Sequence, residues 1–204
     1  MRVHDDWWLT PERVAVHLPT GTGVLADLHL GYAESRRSRG DAVPVPALND
    51  LLRPLAAVLH RHQVRKVAVA GDLLEDGGSS VIDELVTWFA VHDAVLEAVV
   101  PGNHDRKQPE ALRRLPLFPD GYQLDGWLVV HGDRALPAGP VVCGHIHPSV
   151  RLVGKRRPCY VAGPGRLVLP AYSPDARGTI VTASPGQRCL VPVGTNVVDF
   201  DTGL

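Results

Sequence analysis

The chain has 204 residues, 45% of them hydrophobic and 21% charged, the balance of a soluble folded domain with a real core. Its formal net charge of −1 supplies no global basic field to recruit nucleic acid or an anionic membrane. No apolar run approaches the roughly 18 residues of a membrane span, the N-terminal "MRVHDDWWLT" lacks a signal-peptide apolar region, and the three widely spaced cysteines, Cys143, Cys159 and Cys189, suit buried thiols in a reducing cytoplasm.

In chain order, "PTGTGVL" is glycine-rich but precedes its strand and lacks a following GKS/T, so it reads as a hairpin turn. "GVLADLHLG" opens with an apolar run, a buried strand ending near Asp27. "PALNDLLRPLAAVLHRH" places Leu48, Leu51, Leu52, Leu55, Val58 and Leu59 at helical spacing, with Pro54 inside to kink it. "VRKVAVAGD" is a second buried strand, ending in Gly71-Asp72. "SSVIDELVTWFAVH" reads as a helix capped by Ser80. "AVLEAVVPGNHD" is a third strand, halted by Pro101-Gly102. A short helix is predicted at "ALRRLP" and strands at "GWLVVHGD" and "GPVVCGHIH". After Val150 come short strands split by Pro and Gly: "CYVAGPG", "RLVLPAY", "GTIVTA" and "RCLVPV". Strand and helix alternate first and strands dominate later, so mixed sheets facing each other with helices outside are expected. No linker divides the chain, which is read as one domain over residues 1–204.

The polar residues fall in a repeated place. Five apolar runs end in Asp, Asn or His: "ADLHLG", "AGDLLED", "PGNHD", "VHGD" and "CGHIHP". Ligands of open α/β sheets bind beyond the carboxyl ends of strands. If these ends converge, one site gathers Asp27, His29, Asp72, Asn103, His104, His131, His145 and His147. Carboxylate oxygen and imidazole nitrogen suit Mn, Fe, Co and Zn, and there are too many groups for one tetrahedral ion. Shared between two ions through Asp72, they form a two-metal site. Alone, each motif has a plain reading as a turn, a helix cap or a hydrogen-bonded histidine; only the joint set outweighs it.

The blocks Asp27-x-His29, Gly71-Asp72, Gly102-Asn103-His104-Asp105, His131-Gly132 and Gly144-His145-x-His147 occur in order, and the set resembles the calcineurin-like metallophosphoesterases. The resemblance implies a four-layer α/β/β/α sandwich with two mixed β-sheets. It implies two divalent metal ions, Mn first, with Fe, Zn, Co or Ni as alternatives. Asp27, His29 and His147 would hold one ion, Asn103, His131 and His145 the other, and Asp72 would bridge. It leaves His104 outside the ligand set, to protonate the leaving oxygen or stabilise the transition state, with Asp105 to orient it. "LADLHLGYAESRRSRGDAVP", "GNHDR" and "LPAYSPDARGTIV" are further similar to the ligase-associated DNA-damage-response phosphoesterases and endonucleases of the PdeM type. That implies DNA as substrate, a role in DNA repair, and repair ligases or helicases as partners. Small repair nucleases of this superfamily often dimerise, though no dimer seam is legible here. "GDLLEDGG" lacks the arginine of the protein-phosphatase branch, and "GNHD" replaces its GNHE, which counts against a phosphoprotein substrate.

Basic residues cluster in "SRRSRG" (Arg36, Arg37, Arg39), "RRL" (Arg113, Arg114) and "GKRRP" (Lys155, Arg156, Arg157). Solvated loop charge is the default reading. The first cluster begins seven residues after His29 and is expected at the site mouth, contacting phosphates. The leading function is a metal-dependent phosphodiesterase or nuclease. The near-neutral charge keeps open a small-molecule phosphoesterase acting on cyclic nucleotides or nucleotide-sugar diesters. A non-catalytic scaffold would show eroded ligands, and none is missing.

Overall fold

Short hairpins and β-branched runs build the first sheet of this computed structural model, which describes residues 1–75 and 80–200. Strands β1 (Arg2–Val3), β2 (Trp7–Leu9), β3 (Ala15–His17) and β4 (Thr22–Leu25) pair antiparallel in sequence order. "PTGTG" is the β3–β4 turn, where Gly21 takes φ 64°. Helices α1 (Tyr32–Ser38) and α2 (Leu48–His62) then lead to β5 (Lys66–Ala70), and α3 (Ser80–Val91) leads to β6 (Val95–Val100). Strands β4, β5 and β6 run parallel, as crossover helices require. The cap expected from the Ser80 side chain lies outside the described residues. A short α4 (Pro109–Leu112) starts earlier than "ALRRLP" suggests, with proline in its first turn.

The second sheet uses β7 (Tyr122–Leu124), β8 (Trp127–Val129) and β9 (Val141–Cys143). Two strands, β10 (Pro148–Leu152) and β11 (Lys155–Pro158), leave it, and β12 (Tyr160–Gly163) and β13 (Arg166–Val168) return. After β14 (Thr179–Ile180), β15 (Arg188–Val193) and β16 (Asn196–Asp199) complete it. Its order is β16-β15-β12-β13-β9-β8-β7, with β8, β9 and β13 parallel and the rest antiparallel. A third, three-stranded sheet has the order β11-β10-β14.

Alternation along each strand sorts the core. Leu25, Val67, Val69 and Val99 face the helices, with Leu52, Leu55, Leu85 and Phe89. Their neighbours Ala26, Ala68, Ala70 and Ala98 face the second sheet. Small residues on that face leave room for Trp7, Trp127, Tyr160, Leu167 and Leu190 between the sheets. Trp7 and Trp127 meet edge to face at 5.6 Å, so they are core residues, whereas Trp8 is exposed. The α/β architecture with facing mixed sheets is as expected. On the outer face of the second sheet, where a four-layer sandwich would place helices, Val161, Cys189 and Val191 instead pack against Val150 and Cys159 of the small-sheet region. All three cysteines are buried and free of disulfides. No helix among the described residues is long and apolar enough to cross a membrane.

Candidate metal centre

Strands β4, β5 and β6 of one sheet and β8 and β9 of the other end at one edge of the molecule. Beyond those ends the loops are laced together. The amides of Asp27, His29 and Leu30 donate to the carbonyls of Gly71, Asp72 and Leu73 at 3.0, 3.0 and 2.9 Å. The His145 amide donates to Asp27 Oδ2 at 3.0 Å, joining the second sheet to the first. The His104 amide donates to Asp72 Oδ1 at 2.9 Å, drawing in the loop after β6.

Alternate residues of an extended strand point to opposite faces. Asp27 and His29 nevertheless reach one place, as do His145 and His147, because the backbone leaves the extended region. Asp27, His29, Asp72, His145 and His147 have φ of 56°, 49°, 46°, 69° and 47°. Non-glycine residues there cost on the order of 1–3 kcal/mol each, and such strain concentrates at functional sites. Two glycines let the backbones crowd in. A Cβ on Gly71 would fall 2.0 Å from His131 Nδ1, and one on Gly102 would fall 2.1 Å from Asp72 Oδ1.

Two groups of ligand atoms result, Asp27–His29–His147 and Asp72–His131–His145, each within 4.8 Å of one another. In the second group, His131 Nδ1 lies 3.2 Å from the Ala70 carbonyl oxygen. With its proton on Nδ1, donated to that carbonyl, the ring would present an Nε2 lone pair to the site. Facing Nε2 are Asn103 Oδ1 at 3.0 Å, His145 Nδ1 at 3.1 Å and Asp72 Oδ2 at 3.5 Å. Oxygen lone pairs aimed at a nitrogen lone pair repel unless a positive charge, proton or metal ion, lies among them. Burial first, then the neighbouring His131, holds His145 below the usual histidine range, which favours the neutral ring that a metal needs. In the first group, Asp27 Oδ1, His29 Nε2 and His147 Nε2 are buried with no hydrogen-bond partner among the described residues. An orphaned buried polar atom costs about 1–3 kcal/mol, so three together fit a site built for a cation. Asp27 and Asp72 are 0% and 3% exposed, two buried carboxylates whose charge needs an offset.

A third group, His29–Glu75–His104, is also close enough to bind a metal. Its contacts argue otherwise. Glu75 Oε2 accepts from His29 Nδ1 at 2.9 Å and meets His104 Nδ1 at 3.1 Å. The carboxylate therefore fixes both rings from behind and leaves their Nε2 atoms forward, as outer partners of metal-site histidines do. This corrects the part expected of Asp105. Its carboxylate is fully buried and accepts from the amides of Leu73, Leu74 and Gly102 at 3.0, 2.9 and 3.0 Å. Asp105 ties two loops together, and Glu75 meets His104. The sequence reading missed Glu75 although "GDLLED" contains it, since nothing in one block announces which residue lies behind another.

Of the α1 basic cluster, Arg36 pairs with Asp41 and donates to the Tyr32 hydroxyl at 3.1 Å. Arg39 donates to Ser35 Oγ at 2.7 Å, and Arg37 is exposed. Arg36 lines a cavity next to the cleft that contains His29; Arg37 and Arg39 line none of the described cavities beside the ligand groups.

The family model for the calcineurin-like phosphoesterases matches residues 22–180. Among solved structures, the crystal structure of Pseudomonas putida nuclease MPE is similar, with a TM-score of 0.76 and 21% sequence identity over 98% of each chain. No curated protein sequence matches.

Proposed function

The chain belongs to the calcineurin-like phosphoesterase family, and from that premise we propose that this hydrolase cleaves phosphodiester bonds of DNA at a two-metal centre, acting in DNA repair. The observation that carries the metal centre is the convergence of lone pairs from Asp27, His29 and His147 and from Asp72, Asn103, His131 and His145. The nuclease named among similar structures and the residues shared with repair phosphoesterases support the choice of DNA.

Two divalent ions, with Mn the leading choice, would neutralise an anionic diester and make a water acidic enough to attack it. The protein residues do the rest. Asp72, the residue that would bridge the two ions, has Oδ1 on the His104 amide and Oδ2 toward His131. His104, held by Glu75 at Nδ1, offers Nε2 to protonate the leaving oxygen. In the α1 cluster Arg37 and Arg39 are exposed, but the cleft between α1 and His29 is lined by Glu34, Glu84 and Asp175, so the cluster is left out of the proposed phosphate path.

The test is purified protein with Mn against bis-p-nitrophenyl phosphate, p-nitrophenyl phosphate, single-stranded DNA and supercoiled plasmid. Diester and DNA cleavage abolished by chelation is expected. Diester turnover with no DNA cleavage would move the function to the small-molecule reading, which the low net charge favours. In the variant His104→Asn, about 10²–10⁴-fold loss of turnover with full metal content is expected; loss of the metal would instead make His104 a ligand.

A further inference from the structure

His147 also borders a second cavity of about 240 Å³, none of whose lining residues belongs to α1. Its described walls carry four arginines, Arg13, Arg156, Arg157 and Arg177, and no carboxylate. The other flanks of the metal centre differ. The cleft beside His29 is lined by Glu34, Glu84 and Asp175. The one beside His131 holds Arg106 and Arg134 but also Asp120 and Asp133, and Arg106 is paired with Asp133. Of the three flanks, the His147 cavity alone has arginines and no carboxylate among its lining residues, Asp175 lining the neighbouring His29 cleft instead.

This pocket is built into the small sheet. Strand β10 begins one residue after His147 and is paired with β14 on one side and β11 on the other. The Thr179 amide donates to the His147 carbonyl at 3.0 Å, and a Cβ on Gly178 would fall 2.3 Å from that oxygen. The segment bearing Arg177 is thus pressed onto the backbone of a candidate ligand. Arg13 Nη1 lies 3.2, 3.4 and 3.3 Å from the carbonyls of Ala171, Tyr172 and Ser173, and Arg156 donates to the Gly178 carbonyl. These two hold the wall. Arg157 and Arg177 are exposed and form no ion pair among the described residues.

We propose that this arginine pocket holds the phosphate next to the scissile one, so that the substrate is a polynucleotide strand laid from the metal centre across His147 onto the small sheet. The proposal rests on the phosphodiesterase reading above. A planar guanidinium binds phosphate oxygens through paired hydrogen bonds, and two exposed forks can share one phosphate. The acid-lined flank by His29 repels the strand, which gives it one direction across the site.

Thymidine oligomers test this, because TpT has one phosphate and TpTpT has two. With Mn, the wild-type protein should cleave TpTpT with kcat/KM about tenfold or more above TpT. The double variant Arg157→Ala/Arg177→Ala should bring that ratio close to one, with a much smaller loss on TpT and on bis-p-nitrophenyl phosphate. A ratio that persists in the variant, an equal loss on all substrates, or no preference in the wild type would overturn the pocket. A second measurement separates this from failure of hydrolysis itself. With metal chelated, fluorescence anisotropy of a labelled oligo(dT) should show tighter binding by the wild type. The slope of log K against log salt should fall by about 0.7 in the variant, the share of one single-strand phosphate. If nothing is hydrolysed but this difference appears, the phosphodiesterase reading falls and the pocket stands. Equal binding by both proteins would overturn the pocket.

Discussion

Glu75 serves two histidines with one carboxylate oxygen, at 2.9 Å from His29 and 3.1 Å from His104. Removing it in Glu75→Ala leaves both rings without the partner that sets their tautomer and tilt. Loss of such outer partners typically costs 10–100-fold in metal affinity or activity, and a loss in that range is expected for kcat/KM. The split between substrates is diagnostic. Bis-p-nitrophenyl phosphate releases a good leaving group that needs little protonation, whereas TpT releases an alkoxide that needs much. If Glu75 positions His104 as the acid, TpT turnover must suffer more than bis-p-nitrophenyl phosphate turnover. Equal losses, with Mn affinity reduced in calorimetry, would mean that Glu75 acts through His29 alone. Glu75 and Asp105 also show what a sequence hides at this scale. Asp105 follows His104 in the chain, yet its carboxylate turns to three backbone amides, while the carboxylate on His104 comes from the loop after β5. Adjacency in sequence is a poor guide to contact where a tight turn sends neighbours in different directions.

At the scale of elements, α2 runs through Pro54 by borrowing a side chain. The Leu55 amide donates to the Tyr172 hydroxyl at 3.0 Å, and that hydroxyl donates to the Leu51 carbonyl at 3.1 Å. Tyr172 thus stands inside the helical ladder, where an inserted group accompanies a kink. Its own amide donates to the Ala26 carbonyl at 2.8 Å, one residue before Asp27. Tyr172→Phe leaves a buried amide and carbonyl unsatisfied, so a loss of about 1–3 kcal/mol is expected in urea denaturation. The helix itself was legible from its leucine spacing; its tyrosine partner lies 117 residues from Leu55 and has no local signature. The same holds for "GKRRP", which reads as solvated loop but forms β11 through pairing with β10. In β3, His17 is buried, its Nδ1 2.9 Å from Thr20 Oγ1 and its ring 4.8 Å from Trp7. Burial lowers its pKa below the ordinary 6.5. The unfolded chain therefore binds a proton first, so stability should be full above pH 6.5 and decline as pH falls through 6.5 toward the lowered folded value. Urea midpoints at pH 7.5 and 5.0 should differ less in His17→Gln than in the wild type; an unchanged difference would show that His17 is not the group responsible.

For the whole molecule, the candidate metal centre is where two sheets are joined, so its charge balance should register in global stability. The candidate ligand groups were legible because each sits at the end of an apolar run, and chain order alone brings such ends to one edge of parallel strands. The arginine pocket was not, because Arg13, Arg156, Arg157 and Arg177 come from regions whose meeting depends on how the small sheet pairs. Without cations, the joint holds two buried carboxylates, converging lone pairs and five non-glycine residues at positive φ. Each opposes folding, and cation binding to the native state alone offsets them. Saturation at about 100 times Kd adds about 2.7 kcal/mol, which for a chain of this size raises Tm by roughly 5–10 °C. Asp72→Asn separates the two sides of this balance. The amide oxygen can still accept the His104 amide, but one buried charge is gone. In chelator the variant should melt at or above the wild-type temperature, and with Mn it should show little of the wild-type rise. A wild-type Tm that does not respond to Mn would remove the cation from this balance, and a chelated variant far less stable than the wild type would mean that Asp72 acts through its hydrogen bond to the His104 loop and not as part of a cation site.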